Sequence, residues 1–121
     1  MIRALVFLSL LLLGSTSLAH ASTNNLSEQE KISYLLNVIG TSGLTFVRNG
    51  VEYPGQEAKA HLEMKLERSG NNIRTVDDFI NNIASHSSIT GKPYYVELPD
   101  GTRIESEKWL RNKLTDLKAH Q

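Results

Sequence analysis

The sequence predicts a small, helix-dominated α+β domain of about four helices with two short β-hairpins. Three observations predict it. Apolar residues recur at helical spacing in separate stretches; two short alternating stretches each enclose a turn signal; and no internal repeat or low-complexity tract interrupts the chain.

Met1-Ile2-Arg3 is a short basic start, followed by an apolar run from Ala4 to Leu13 and then Gly14 and Ser/Thr-rich residues. With Ala19-His20-Ala21 as a small-x-small cleavage site, residues 1–21 are expected to be a signal peptide cut after Ala21. The apolar run falls short of the roughly 20 residues a spanning helix needs, so no membrane span is expected after cleavage. Residues 22–26 are polar and read as a flexible leader, and residues 27–121 as one domain. The mature chain of 100 residues carries 12 Lys+Arg against 13 Asp+Glu and no cysteine. Export points to the periplasm, and with no disulfide available the fold must rest on packing. Balanced charge also argues against nucleic-acid binding, which draws most of its affinity from a basic excess.

Ser27-Glu28-Gln29-Glu30 has the form of a capping box, and Ile32, Leu35, Leu36 and Ile39 follow at helical spacing up to Gly40. Leu44 to Tyr53 alternates around Asn49-Gly50, the dipeptide of a type I′ hairpin turn, which would present Arg48 and Asn49 at its tip. Gln56 to Arg68 is rich in helix formers. It carries an apolar stripe at Ala58, Leu62 and Leu66, with Ala60 and Met64 on the far side as a hint of a second contact surface. Thr75 with Asp78 caps a third helix through Val76, Phe79, Ile80, Ile83 and Ala84, which should end near Ser85. Tyr94 to Leu98, the turn Pro99-Asp100-Gly101 and Thr102 to Ile104 form the second hairpin. Glu105 to Lys118 closes the chain as a helix burying Trp109 or Leu110 with Leu114 and Leu117. The two hairpins are expected to lie on the helices or to pair with each other.

The most enzyme-like stretch is SHSSITGKPY, residues 85–94. Ser85, Ser87 and Ser88 lie too close to His86 in sequence to form a nucleophile–base pair. Neither an S-x-x-K nor a phosphate-loop spacing is present. A helix end, with hydroxyls meeting carbonyls and Gly91 turning the chain, accounts for it better. Glu57, His61 and Lys65 share one helical edge, as a charge row or as an imidazole whose pKa the neighbouring carboxylate raises. His61, His86 and His120 show no metal-ligand spacing, so no metal, cofactor or catalytic residue is assigned. Tyr94, Tyr95 and Trp109 read as core or strand residues before a stacking platform.

Taken together, FVRNG at 46–50, Glu57-Ala58, His61-Leu62, Lys65-Leu66, Phe79-Ile80, Ala84-Ser85, Ser87-Ser88-Ile89 and Gly91-Lys92-Pro93-Tyr94 resemble the YfeK-like family of small exported bacterial proteins, a domain family of unknown function. The resemblance runs from Phe46 to Tyr94, leaves out His86 and is poor beyond Tyr94. It implies a bacterial, periplasmic protein and no particular reaction. The resulting expectation is a non-enzymatic binding module for an envelope protein, a peptide or an anionic ligand. Its binding residues would be Arg48, Asn49, His61, Lys65, Ser85, Ser87, Ser88 and Tyr94. The alternative is a small envelope hydrolase that uses His61 with a serine of the Ser85–Ser88 loop. A third reading makes the same polar residues a structural network tying the hairpin to the second and third helices.

Overall fold

A computed structural model describes residues 25–120. The expected signal peptide and residues 22–24 of the expected leader lie outside the described residues. Helix α1 (Glu28–Thr41) starts where the sequence places it: the Ser27 hydroxyl accepts from the Glu30 amide at 3.1 Å. The Ser27 hydroxyl donates to the Glu30 carboxylate at 3.1 Å, so the serine half of the capping box forms and the glutamate half does not close on a backbone N–H. Gly40 does not stop the helix. The Lys59 side chain of the next helix lies over it, 2.9 Å from where a Cβ would stand.

Strands β1 (Thr45–Arg48) and β2 (Val51–Pro54) form the first hairpin. Asn49 and Gly50 both have positive φ, 52° and 76°, as a type I′ turn demands. Helix α2 (Gly55–Ser69) follows without a linker, and Gly55 at its start sits against the Ile39 carbonyl where any Cβ would collide. The third helix is a single α turn, α3 (Val76–Asp78), that widens into a π-helix over Phe79–Ala84. Its capping box is complete, with Thr75 and Asp78 bonding reciprocally. Apolar spacing in the sequence gives no sign of the change of pitch, since Val76, Phe79, Ile80, Ile83 and Ala84 are buried all the same.

Strands β3 (Tyr95–Glu97) and β4 (Arg103–Glu105) form the second hairpin, and helix α4 (Ser106–Ala119) ends the fold. The two hairpins pair with each other. β1 lies antiparallel to β3, with Phe46 opposite Val96, in a four-stranded antiparallel sheet of order β2-β1-β3-β4. One face of the sheet carries Phe46 and Val96 into a core shared with Leu35, Ile39, Ile80 and Leu110. Trp109 and Leu110 are both buried, and the Trp109 ring meets Phe46 edge to face at 5.6 Å. Burying such residues supplies roughly 1.5–3 kcal/mol each, which lets a domain without disulfides stay folded. Arg111 ties α4 to the start of the third helix through Asp77 at 2.8 Å and Asn81 at 2.8 Å. Among the described residues, no helix is long and apolar enough to cross a membrane.

Candidate functional site

Helix α2 brings His61, Lys65 and Arg68 to one face at i, i+4 and i+7, and the first hairpin folds Arg48 back over that face. The Arg48 Nη1 atom stands 2.6 Å from both ring nitrogens of His61. A neutral imidazole has one nitrogen lone pair, so one nitrogen accepts and the other is in contact. Arg48 Nη2 donates to the Tyr53 hydroxyl at 3.0 Å, and its guanidinium carbon lies 4.7 Å from that ring's centre. The Tyr94 hydroxyl lies 3.5 Å from His61 Nε2.

Burial holds the His61 pKa below its ordinary value, and the charges of Arg48, Lys65 and Arg68 push it the same way. The expected pairing with Glu57 does not govern the ring. Three cations surround it, so its pKa falls where a carboxylate neighbour would have raised it. Burial, and then the Arg48 charge, likewise lowers the Lys65 pKa. Burial raises that of Tyr94.

Lys65 is fully engaged. Its ammonium donates to the Ile83 carbonyl at 2.7 Å, the His86 carbonyl at 3.1 Å and the Tyr94 hydroxyl at 3.2 Å, which uses all three of its protons. It thereby caps the end of the π-helix, where carbonyls lack helical partners. The Ser85 hydroxyl, buried, donates to the Ile80 carbonyl in the same π segment.

The loop beyond is tied to the hairpin tip. Asn49 donates to the Ser87 hydroxyl at 3.3 Å and accepts from the Thr90 hydroxyl at 2.6 Å. Ser87 Oγ also faces the amides of Ile89 and Thr90 at 3.3 Å. Ser88 is exposed. Arg48, Asn49, His61, Lys65, Ser87 and Tyr94 therefore do converge, whereas Ser85 faces inward and is spent on the backbone. His61 bonds to Arg48 and Tyr94, and Ser87 bonds to Asn49 and backbone amides, so no Ser–His pair forms among the described residues.

Two spaces meet at this cluster. A groove of about 490 Å³ runs between the hairpin tip, α2 and the 85–89 loop. Its lining includes Arg48, His61, Lys65 and Arg68 and, among the described residues, no carboxylate. A second, apolar cavity of about 170 Å³ reaches inward to Ile39, Phe46, Leu62 and Leu110. Arg48, Tyr53, His61 and Tyr94 line both. Sequence reasoning missed Tyr53 and Arg68. Arg68 was within reach, because it continues the His61, Lys65 spacing by a further three residues.

Fold and cleft together define a small α+β domain with a cationic cluster closing an apolar cavity. The chain belongs to the family of unknown function DUF5329, which it matches over residues 26–118. That match takes in the second hairpin and most of α4, so it extends past Tyr94, where the resemblance read from the sequence ran out. The chain is also 46% identical over 71 residues to the uncharacterized protein YfeK of Salmonella typhimurium. The shared stretch is 58% of this chain and 59% of that protein, so it spans less than two thirds of the relative's length. No solved structure matches.

Proposed function

We propose that this domain is a non-enzymatic, exported binding module whose ligand is an anion, seated in the groove on Arg48 and Arg68. One observation carries the reading. Arg48, His61, Lys65 and Arg68 line one groove without a carboxylate, and none of the ion pairs among the described residues involves Arg48, Lys65 or Arg68. Formal charge over the whole chain is zero, so this local excess is a matter of placement. Half-buried Arg48 and Lys65 have no counter-ion among the described residues, which costs free energy, while Arg68 is exposed. Repulsion between the cations adds to burial, the larger cause, in holding the His61 and Lys65 pKa values down. A bound anion would relieve both. Lys65 would contribute only its field, since its protons are spent, whereas Arg48 keeps three of its five N–H donors.

The serine-loop residues fit the structural-network reading. Asn49, Ser85 and Ser87 spend their polar atoms on the protein itself, as Lys65 does. The hydrolase alternative lacks its hydrogen bond, as described above. Residues 1–21 support the export reading through their basic start, apolar run and cleavage motif. It is tested by fractionation and by sequencing the mature N-terminus, which should begin at Ser22.

NMR titration of the protein with acetate at low ionic strength tests the anion reading. The largest shifts should fall at Arg48, His61 and Arg68, weaken with added salt and vanish in the double variant Arg48→Met, Arg68→Met. Shifts scattered evenly over the lysines of the surface would overturn it.

A further inference from the structure

The cavity behind the cluster narrows the kind of anion. Arg48, Tyr53, His61 and Tyr94 stand between the groove and the cavity, with a charge-bearing side and an apolar side. The inner walls include Phe46, Leu62 and Leu110. Among the described residues, no buried side-chain polar atom lacks a hydrogen-bond partner. Most of the cavity wall is apolar, with Glu57 and Ser106 as the polar residues described beyond the head-group cluster, and such spaces favour apolar guests. Its volume of about 170 Å³ compares with the roughly 150 Å³ of an engineered apolar protein cavity that takes up benzene.

The head-group side is equally selective. Arg48 retains N–H donors in the planar fork that matches a carboxylate. The Tyr53 hydroxyl accepts from Arg48, which leaves its own proton free to donate. Among the described residues, Glu57 is the one carboxylate in the cavity lining and none lies in the groove, so an anionic head is favoured on the groove side. An inorganic anion would leave the cavity unused. A sugar or nucleotide would bring several hydroxyls to a mostly apolar wall, whose polar side chains beyond the cluster are Glu57 and Ser106 among the described residues.

Resting on the anion-binding reading, we propose that the ligand is an organic carboxylate joined by about two or three bonds to a compact apolar group about the size of a benzene ring. The carboxylate would lie against Arg48 and Tyr53 in the groove, and the apolar group would occupy the cavity. The head displaces the Arg48–His61 contact, exchanging a neutral imidazole for a charged acceptor. A free acid and the C-terminal residue of a polypeptide both carry this chemistry.

Calorimetric titration with acetate, phenylacetate and phenylacetamide separates the parts. Phenylacetate should bind about tenfold or more tighter than acetate, through the buried ring, and about tenfold tighter than its neutral amide, through the charge-assisted bonds to Arg48. If phenylacetate and acetate bind alike, the cavity is unused; this inference falls and the anion reading stands. If phenylacetamide equals phenylacetate, charge is not recognised and both fall.

Ala58→Leu places added bulk in the cavity and should bring phenylacetate down to the affinity of acetate while leaving acetate unchanged. Saturating toluene should do the same to the unaltered protein, so a misfolded variant would not shelter the idea. Phenylacetate binding that toluene leaves untouched would overturn it. A short peptide ending in phenylalanine, with its C-terminus free or amidated, identifies the source. Tighter binding of the free-ended peptide than of phenylacetate assigns a polypeptide C-terminus, and the reverse order assigns a free acid.

Discussion

Two cations of the same cleft, Arg48 on the first hairpin and Lys65 on α2, behave in opposite ways. Lys65 is enclosed and finds an acceptor for every proton, whereas Arg48, reaching over from β1, meets a neutral imidazole and a phenol. Both carry positive charge and both sit in the stretch that carries the family resemblance. A side chain whose polar atoms are all answered within the protein is holding the fold. One whose charge is left unanswered is available to something else. On that criterion the eight sequence-derived binding residues divide: Asn49, Lys65, Ser85 and Ser87 go to the fold, while Arg48 and His61 go to the cleft. Tyr94 spans the two, and Ser88 is exposed.

The strongest way to break this division is to remove Lys65. Lys65→Met should leave the Ile83 and His86 carbonyls and the Tyr94 hydroxyl without their donor, and cost about 3 kcal/mol. Urea unfolding would measure it. A loss below about 0.5 kcal/mol would place Lys65 with the cleft residues instead. Next in size is the tie between hairpin and loop. Asn49→Gly keeps the positive φ of the turn and removes the contacts to Ser87 and Thr90, so about 1 kcal/mol should be lost. Faster amide exchange should be confined to residues 87–92.

How much of this was legible beforehand depended on range. The capped starts of α1 and α3, the Asn49-Gly50 turn and the position of the last helix are local, and short-range spacing marked each of them. Pairing of the two hairpins depends on Phe46 meeting Val96, fifty residues apart, and periodicity alone left two arrangements open. The π pitch was hidden because the same apolar residues are buried in either pitch, and only the destination of Lys65 and Ser85 reveals it. Glu57 looked like the partner of His61 because sequence shows neighbours along one helix. It does not show Arg48 arriving from a strand.

Arg48→Met sharpens the comparison from the other side. With no carboxylate to strand, the loss should change stability by less than about 1 kcal/mol, well under the effect at Lys65. The variant should instead raise the His61 pKa toward its ordinary 6.5, since the Arg48 charge is one of the causes holding it down. An NMR pH titration of the imidazole reads this directly, and an unmoved His61 would mean that burial and the Lys65 and Arg68 charges set its value without Arg48.

The smallest expected effect is a pH dependence of stability. In the folded protein the His61 pKa lies below 6.5, so between that folded value and 6.5 the unfolded chain holds a proton that the folded chain refuses. The unfolded state is therefore favoured as pH falls through this window. The contribution of neutral His61 is fully present above about 6.5, declines on acidification, and levels off once the folded ring also protonates. Glu28, Asp78 and Asp100 have lowered pKa values as well, but their stabilisation is lost only in the carboxylate range, starting near their ordinary 4.5, 3.8 and 3.8. Comparing the protein with His61→Gln between pH 7 and about 5 isolates the ring, and the two stability curves should converge toward the acid end. A carboxylate ligand should weaken the trend, because its charge favours the imidazolium, so ligand-bound protein should lose less stability on acidification than the free protein. Parallel curves with and without phenylacetate would show that the anion does not sense His61 and would move the head group away from Arg48.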